Sequence, residues 1–211
     1  MTITYPDAYH RGRAKRLGVA ERTISDGLKR LGITYKKTLK HPKIDEEARI
    51  VFRYKITNYE REGHPLVYLD ESGFALDQPR IHSYACKGKR CYGVDDWHAK
   101  GCINAIGAII GFTFLCVGLF ESNLNSDVFY AWVVSCLVPV LPTNAVVIID
   151  NVSFHKRTDI LEAIENTGVT VEFLPAYSPD LNPIEKKWAQ AKAIRKKTHC
   201  DVDTLFTEHI L

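Results

Sequence analysis

Three acidic residues stand where a sheet scaffold can bring side chains together. Asp70 ends the apolar run 66–69, Asp150 ends the apolar run 145–149, and Glu185 opens a helix-forming segment. Carboxylates that converge without paired bases repel one another, and hard divalent cations relieve that repulsion. An apolar strand that ends in a single acid is often a simple exit into a loop. Three such acids together predict a magnesium or manganese site.

The residues around Glu185 and Asp70 decide which acids belong to this set. Asn182 suits a helix cap and Pro183 the first helical turn, so Glu185 is expected in the opening turn near the sheet edge. Glu71 follows Asp70 along a strand, and successive side chains of a strand point to opposite faces. We therefore exclude Glu71 from the predicted triad.

The apolar periodicity gives an order of elements that would position these acids. Strands come first and then alternate with helices, which predicts an α/β fold with a mixed sheet flanked by helices, the order of the ribonuclease H-like fold. The predicted helices cover 45–62, 126–138, 157–167 and 183–197, and the predicted strands cover 66–70, 102–110, 112–120, 145–150 and 169–174, with part of a further strand around 81–85. The apolar residues Ala48, Val51, Phe52 and Ile56 are available for one face of the first of these helices.

Charge is distributed unevenly along the 211 residues. Residues 1–55 hold 14 Lys and Arg against 6 Asp and Glu, whereas the remainder holds 14 against 19. A basic head on an acidic body is typical of a DNA-contacting arm joined to a metal-binding catalytic domain, although a solvated basic surface has the same composition. We predict a partial DNA-binding region over 1–40 and a catalytic domain with an N-terminal linker helix over 41–211.

The head has the pattern of a partial helix-turn-helix preceding the catalytic domain. A helix, a turn at Gly18 and a second helix over 21–31 ending at Gly32 are predicted, with Ile24, Leu28 and Leu31 facing inward. An ordinary helical hairpin is the alternative, and Gly27 weakens the second helix by about 1 kcal/mol. The candidate DNA-contacting residues on the other faces are Arg22, Ser25, Lys29 and Arg30.

Three segments together resemble the signature blocks of mariner-like transposases, particularly their bacterial insertion-sequence branch. The segments are 68–74, 149–155 and 177–188, which carry Asp70, Asp150 and Glu185 in that order. The 34 residues between Asp150 and Glu185 are the spacing typical of that branch. Two departures from the family pattern, Val152 and Ala176, affect no acid of the triad.

The resemblance implies a DNA transposase. It assigns Asp70, Asp150 and Glu185 to two Mg²⁺ or Mn²⁺ ions, with Asp70 as the bridging ligand, and in-line displacement at phosphorus. It also implies cleavage at the terminal inverted repeats of the element, strand transfer into target DNA at TA, and a homodimer on double-stranded DNA.

Neighbouring residues are weaker candidates for supporting roles. Asn151 and His155 are candidates for hydrogen bonds to a ligand carboxylate or the scissile phosphate, or alternatively for loop and helix-cap contacts. Lys187 and Lys192 belong to a basic run, Lys186 to Lys197, on the helix of Glu185. This run, which includes Arg195, is expected to contact DNA phosphates, and a solvated helix face is the alternative.

Composition narrows the setting of the protein. None of the six cysteines forms a Cys-x-x-Cys pair, and we interpret them as reduced core residues. The sequence shows neither a signal peptide nor a membrane span, which predicts a cytoplasmic protein, associated with the nucleoid in a bacterium. The rival hypotheses are a truncated, inactive DNA-binding protein derived from a transposase, and a stand-alone nuclease of the same fold.

Overall fold

A computed structural model of the chain describes residues 8–34, 42–76 and 101–210. The chain divides into two compact units, an N-terminal unit, Met1–Pro42, and a C-terminal unit, Lys43–Leu211. The helices are α1 (His10–Leu17), α2 (Glu21–Arg30), α3 (Glu46–Arg61), α4 (Ser126–Trp132), α5 (Thr158–Glu165), α6 (Ile184–Thr198) and α7 (Val202–Thr204). The strands are β1 (Leu66–Ala75), β2 (Cys102–Ile110), β3 (Thr113–Phe120), β4 (Val146–Ile149) and β5 (Thr170–Phe173).

Short irregular helices complete the C-terminal unit. Helix α4 continues as π-helical Val133–Leu137 and 3₁₀ Val138–Val140, and α7 continues as π-helical Leu205–Ile210. Two further 3₁₀ turns, Ser153–Lys156 and Pro179–Leu181, lie close in sequence to the predicted acids. Among the described residues, no helix is both long enough and apolar enough to cross a membrane.

The N-terminal unit contains the helix, turn and helix that the sequence predicts. Gly18, at φ 66°, ends α1 in the left-handed conformation that glycine adopts without a steric cost, and Gly32, at φ 67°, follows α2. Ile24 is buried, as predicted. Leu31 is 73% exposed, so its predicted inward position is wrong; the residue lies beyond the last residue of α2, where the helical spacing no longer holds.

The C-terminal unit is built on one five-stranded mixed sheet, with strand order β3-β2-β1-β4-β5. Strand β2 pairs antiparallel with both β1 and β3, whereas β4 pairs parallel with both β1 and β5. The predicted mixed sheet flanked by helices is therefore confirmed. The predicted strand around 81–85 lies outside the described residues.

Alternating side chains of the sheet divide the core between its two faces. Val67 and Leu69 of β1 pack with α4 and α5 on one face. Phe74, also on β1, packs with α6 and the C-terminal helical segment on the other face. The buried side of α3, including Phe52, packs on Val146 and Ile148. Helices on both faces thus fix the central strands β1 and β4, which carry two of the predicted acids near their ends.

Three predictions of local structure need correction. Strand β1 runs to Ala75 rather than ending at Asp70, because its second half remains paired with β2. Val51 of α3 is exposed, and Arg49 takes a buried position instead. Cys102 is exposed rather than a core residue, while the other described cysteines are half-buried and free. Cys86 and Cys91 lie outside the described residues.

Candidate active site

The three predicted acids line one open cleft of about 380 Å³ at the edge of the sheet. Asp70 comes from β1, Asp150 directly follows β4, and Glu185 lies in the first turn of α6. The remaining lining comes from the loops after β4 and β5: Asn151, Val152, Leu174, Pro175, Ala176, Tyr177, Ser178, Pro179 and Asn182. Acids that are far apart in sequence therefore share one solvent-accessible space.

The pairing of β1 explains why Asp70 opens onto the cleft. The parallel ladder between β1 and β4 covers Leu66 to Tyr68, with Tyr68 opposite Ile148. Beyond that point β1 remains paired with β2 only, and Asp70 lies opposite Gly107. Asp70 therefore lies where the sheet loses one neighbour, and Asp150 leaves β4 beside it.

Gly107 allows α6 to approach the sheet next to Asp70. A Cβ atom at Gly107 would lie 2.7 Å from the ring of Trp188 and 3.0 Å from Phe114. Real Cβ atoms do not approach other atoms so closely, so only glycine permits this packing. Trp188 is 2% exposed and lies one turn after Glu185 on α6. The glycine opposite Asp70 thus sets how near the helix of Glu185 can lie.

Asn182 joins the start of α6 directly to β1. Its side-chain Nδ2 donates a hydrogen bond to the carbonyl of Leu69 at 3.2 Å, and its Oδ1 accepts from the backbone N–H of Ile184 at 3.4 Å. Asn182 is 3% exposed. The N-cap of α6 is Pro183 rather than the predicted Asn182, which lies one residue earlier. The contact with Leu69 ties the turn that carries Glu185 to the residue that precedes Asp70.

An ion pair holds the loop before α6 from its other side. The guanidinium of Arg49 on α3 donates to both carboxylate oxygens of Asp180, at 2.9 and 2.7 Å. This partner lowers the pKa of Asp180. Tyr177, in the same loop, has φ 57°, a left-handed conformation that is uncommon for residues other than glycine. The loop is therefore held by the ion pair of Asp180 with Arg49 and by the hydrogen bonds of Asn182, and Glu185 follows it in the sequence.

Burial and neighbouring negative charges together set the electrostatics of the cleft. Burial, followed by the negative charges of Glu71 and Glu185, raises the pKa of Asp70 to about 7; Asp150 adds to the effect. A raised pKa means that three neighbouring carboxylates resist simultaneous ionisation. A cation placed among them would remove that resistance.

His155 connects Asp150 with an acid on the opposite face of β1. Its Nε2 donates a hydrogen bond to Glu71 Oε1 at 2.7 Å, and its Nδ1 lies 2.5 Å from Asp150 Oδ1, at the distance of an ion pair although not in the direction of a regular hydrogen bond. Two carboxylates beside the ring favour its protonated, cationic form. Burial alone would lower the pKa of His155, but Asp150 and Glu71 outweigh it and raise the pKa to about 9.

The donor set fits a hard divalent cation by its chemistry. Aspartate and glutamate oxygens are the preferred ligands of Mg²⁺ and Mn²⁺, and such an ion would counteract both the burial and the repulsion that raise the pKa of Asp70. Within residues 8–34, 42–76 and 101–210, no three acidic, histidine or cysteine side chains stand close enough to hold one ion together. Coordination by all three acids would therefore require side-chain movement.

The basic residues of α6 divide into two kinds. Lys187 and Lys192 place their ammonium groups 5.5 Å from the ring centroids of Phe114 and Phe74, respectively. Arg195, by contrast, is 4% exposed and donates to the carbonyls of Ala75, Leu76 and Cys200. The prediction that Arg195 contacts phosphate is therefore wrong, because its guanidinium is used to fasten α6 to the end of β1.

Three residues of the site went unrecognised in the sequence. Glu71 was excluded because strand alternation points it away from Asp70, which is correct, but alternation says nothing about His155 on that other face. The partner of Arg49, Asp180, lies 131 residues away in the sequence. Nothing in the sequence around Gly107 indicates that the ring of Trp188 packs on it. Only the arginine among apolar positions of α3 offered a signal, since buried arginines require partners.

Comparison with known proteins supplies a family and a fold. Residues 65–205 match the family model described as DDE superfamily endonuclease. No curated protein matches the chain. Among solved structures, the Mos1 transposase paired-end complex with left transposon end is similar, with 18% identity and a TM-score of 0.63 over 92% of this chain and 62% of that chain.

Two further Mos1 structures agree. The mariner Mos1 paired-end complex with Mg has 17% identity and a TM-score of 0.63, covering 92% of this chain and 63% of that chain. The catalytic domain of Mos1 mariner transposase has 14% identity and a TM-score of 0.55, covering 77% of this chain and 76% of that domain. The predicted ribonuclease H-like fold is confirmed by this likeness. The chain spans about three fifths of the length of the full Mos1 chains.

Proposed function

The chain belongs to the DDE superfamily endonucleases, and we propose that it is a DNA transposase that cleaves strands at the ends of its element and joins them to target DNA. The observation that carries the proposal is the single cleft lined by Asp70, Asp150 and Glu185. The family match covers all three acids, and the similar structures of Mos1 are transposase complexes with transposon ends or their catalytic domain.

The three acids are proposed to hold two divalent ions, Mg²⁺ or Mn²⁺, which would activate the attacking water or 3′-hydroxyl and stabilise the leaving oxygen. The residues of the chain itself orient the acids. Asn182 keeps the first turn of α6 against β1, and His155 holds the carboxylate of Asp150. Asn151, exposed in the cleft, is placed to contact the scissile phosphate.

Double-stranded DNA is the proposed partner, both as the terminal inverted repeats of the element and as the target, which we propose to be cut at TA. Phosphate contacts are assigned to Lys187 and Lys192, because an ammonium group that lies over a buried aromatic ring keeps its charge and can still bind an anion. Arg22, Ser25, Lys29 and Arg30 of α2 are assigned to the DNA duplex, and the active assembly on DNA is assigned to a homodimer.

Cleavage of a labelled duplex that carries the inverted repeats flanking the coding sequence tests this function. We expect strand cleavage with Mg²⁺ or Mn²⁺ and none with a chelator. Asp70→Asn, Asp150→Asn and Glu185→Gln should each lower the cleavage rate by roughly 10³-fold or more, because an activated nucleophile and a stabilised leaving group are lost together.

The exposed Glu165, at the end of α5, offers a matched control: Glu165→Gln removes one charge that does not line the cleft and should cleave at the wild-type rate. Circular dichroism would verify that each variant is folded. A triad variant that cleaves as fast as the wild-type protein would refute the assignment. A wild-type protein that binds the repeats but never cleaves them would instead support an inactive DNA-binding derivative.

A further inference from the structure

Two neighbouring acids of β1 serve opposite faces of the sheet. Asp70 lines the cleft, whereas the side chain of Glu71 is 19% exposed and its Oε1 accepts a hydrogen bond from His155 Nε2 at 2.7 Å. The same imidazole approaches Asp150 Oδ1 with its other nitrogen, at 2.5 Å. Glu71, His155 and Asp150 therefore form one continuous chain of contacts, which ends at a cleft acid.

The imidazole in the middle of this chain is held in place on several sides. The side chain of His155 is 1% exposed, and its ring lies 4.4 Å from that of Phe129, centroid to centroid, at an interplanar angle of 40°. Phe129 belongs to α4 and is fully buried in the core between that helix and the sheet. The ring thus has a fixed plane, set by Phe129, and a fixed rotation within that plane, set by Glu71.

We infer that Glu71 is a positioning residue that fixes the carboxylate of Asp150 through His155. The inference rests on the proposed function, since it assigns the purpose of the contact chain to metal binding. Asp150 Oδ1 is buried against His155, while 34% of the Asp150 side chain is exposed, so Oδ2 is the oxygen available to the cleft. A carboxylate held by one oxygen presents the other in one orientation.

The physical benefit is preorganisation. An aspartate directly after a strand can rotate freely about its side-chain bonds, and ordering it costs conformational entropy at the moment when a cation binds. Glu71 and His155 impose that order in advance. Removing a residue that holds a metal-binding side chain in its orientation typically changes metal affinity by about 10–100-fold.

Binding of Mn²⁺ to the DNA-free full chain, measured by electron paramagnetic resonance of the free ion, tests the inference without requiring activity. We expect Glu71→Ala to weaken Mn²⁺ binding roughly tenfold or more, because His155 is then free to turn. Glu71→Gln retains a hydrogen-bond acceptor and should bind more tightly than Glu71→Ala. Glu165→Gln, which removes an exposed charge from the end of α5, should bind as the wild-type protein does.

A double-mutant cycle shows whether Glu71 acts through His155. In a His155→Gln background, Glu71→Ala should cause no further loss of Mn²⁺ affinity, since the route to Asp150 is already broken. Melting temperatures would verify that each variant is folded. If Glu71→Ala does not fold, Glu71→Gln, which changes neither the size nor the shape of the side chain, takes its place in these measurements.

The possible outcomes separate this inference from the proposed function. Independent, additive losses in the cycle, or folded Glu71→Ala and Glu71→Gln proteins that bind Mn²⁺ within twofold of wild type while Asp150→Asn does not bind it, would overturn the role of Glu71 and leave the transposase proposal standing. Wild-type-like binding by Asp70→Asn, Asp150→Asn and Glu185→Gln alike would overturn both.

Discussion

The two units of the chain differ in how their structure is maintained. In the described part of the N-terminal unit only Arg13, Ala14 and Ile24 are buried, and its two helices are delimited by local glycines. The C-terminal unit packs helices on both faces of a five-stranded sheet, with fully buried side chains such as Trp132 and Leu69. The first unit depends on local signals and the second on long-range packing.

This difference fits the tasks proposed for the two units. A cleft that arranges three carboxylates needs atoms fixed to a fraction of an ångström, which close-packed cores provide. A helix that meets DNA needs only the correct face exposed, and can gain order from the duplex itself. Changes in the C-terminal unit are therefore expected to have larger effects than similar changes in the N-terminal unit.

The largest effect is expected in the pH dependence of stability, because Asp70 in the cleft and His155 beside it have raised pKa values. The pKa of Asp70 is raised to about 7 and that of His155 to about 9, so each contributes stability at low pH that is lost as the pH rises through the folded value. The metal-free protein should lose a few kcal/mol in its free energy of unfolding between pH 5 and 9, at about 1.4 kcal/mol for each unit of pKa shift. Urea denaturation monitored across this range would measure it.

Two controls assign that loss to the cleft. Asp70→Asn removes one of the titrating groups and should flatten the decline between pH 5 and 7. Mg²⁺ added at pH 8 should restore stability, since a cation replaces the protons among the carboxylates. A pH dependence that is the same in Asp70→Asn and in the wild-type protein would show that other groups cause it.

A smaller effect follows from substituting one glycine in each unit by alanine. Gly107→Ala places a methyl group 2.7 Å from the ring of Trp188, and should destabilise the C-terminal unit by about 1–3 kcal/mol and slow cleavage, because α6 must move with Glu185. Gly27→Ala, inside α2 with no atom within 4 Å, should stabilise that helix by about 0.5–1 kcal/mol.

Thermal unfolding monitored by circular dichroism for both alanine variants compares the units directly. Effects of opposite sign would support the contrast between packed and local structure. If Gly107→Ala were as stable and as active as the wild-type protein, the approach of α6 to β1 would not depend on the missing Cβ atom.

The local pattern of the sequence was sufficient for most of the elements. The apolar segment 102–110 predicted β2 to the residue, and the glycine turn at Gly18 predicted the start of α2. The acids of the cleft were predicted because their positions, near the ends of apolar runs and at the start of a helix, can be recognised from the sequence alone. The family resemblance then ordered them into one site.

Contacts between distant segments could not be predicted in this way. The continuation of β1 past Asp70 depends on its ladder with β2, which begins 27 residues after Ala75. The burial of Arg195 depends on carbonyl groups at the end of β1, whereas its sequence neighbours indicated only a basic helix face. Periodicity specifies which face is apolar, but not which polar residue finds a partner inside.

Single side chains of α2 are expected to affect DNA binding rather than stability or cleavage chemistry. Arg22 lies in the first half of the helix, where base edges are read, and Lys29 lies in its last turn, nearer to phosphates. Arg22→Ala should reduce the preference for the terminal repeat over unrelated DNA by about 1–3 kcal/mol. Lys29→Ala should weaken binding to both duplexes equally and serves as the control. Equilibrium competition between the terminal repeat and unrelated DNA, at one salt concentration, measures both variants.

An unchanged specificity ratio in Arg22→Ala would show that α2 does not read sequence through that residue. The two variants compared at the same salt concentration separate base recognition from attraction to the backbone, because only the latter is independent of sequence.

The most direct test of the account is the location of a bound metal ion. Crystals of the protein soaked with Mn²⁺ should show anomalous scattering peaks in the cleft, within coordination distance of Asp70, Asp150 and Glu185. The peaks should be absent from crystals of Asp150→Asn prepared in the same way. Mn²⁺ bound elsewhere at full occupancy, with no peak beside these three acids in the wild-type crystals, would contradict the assignment of this cleft as the active site.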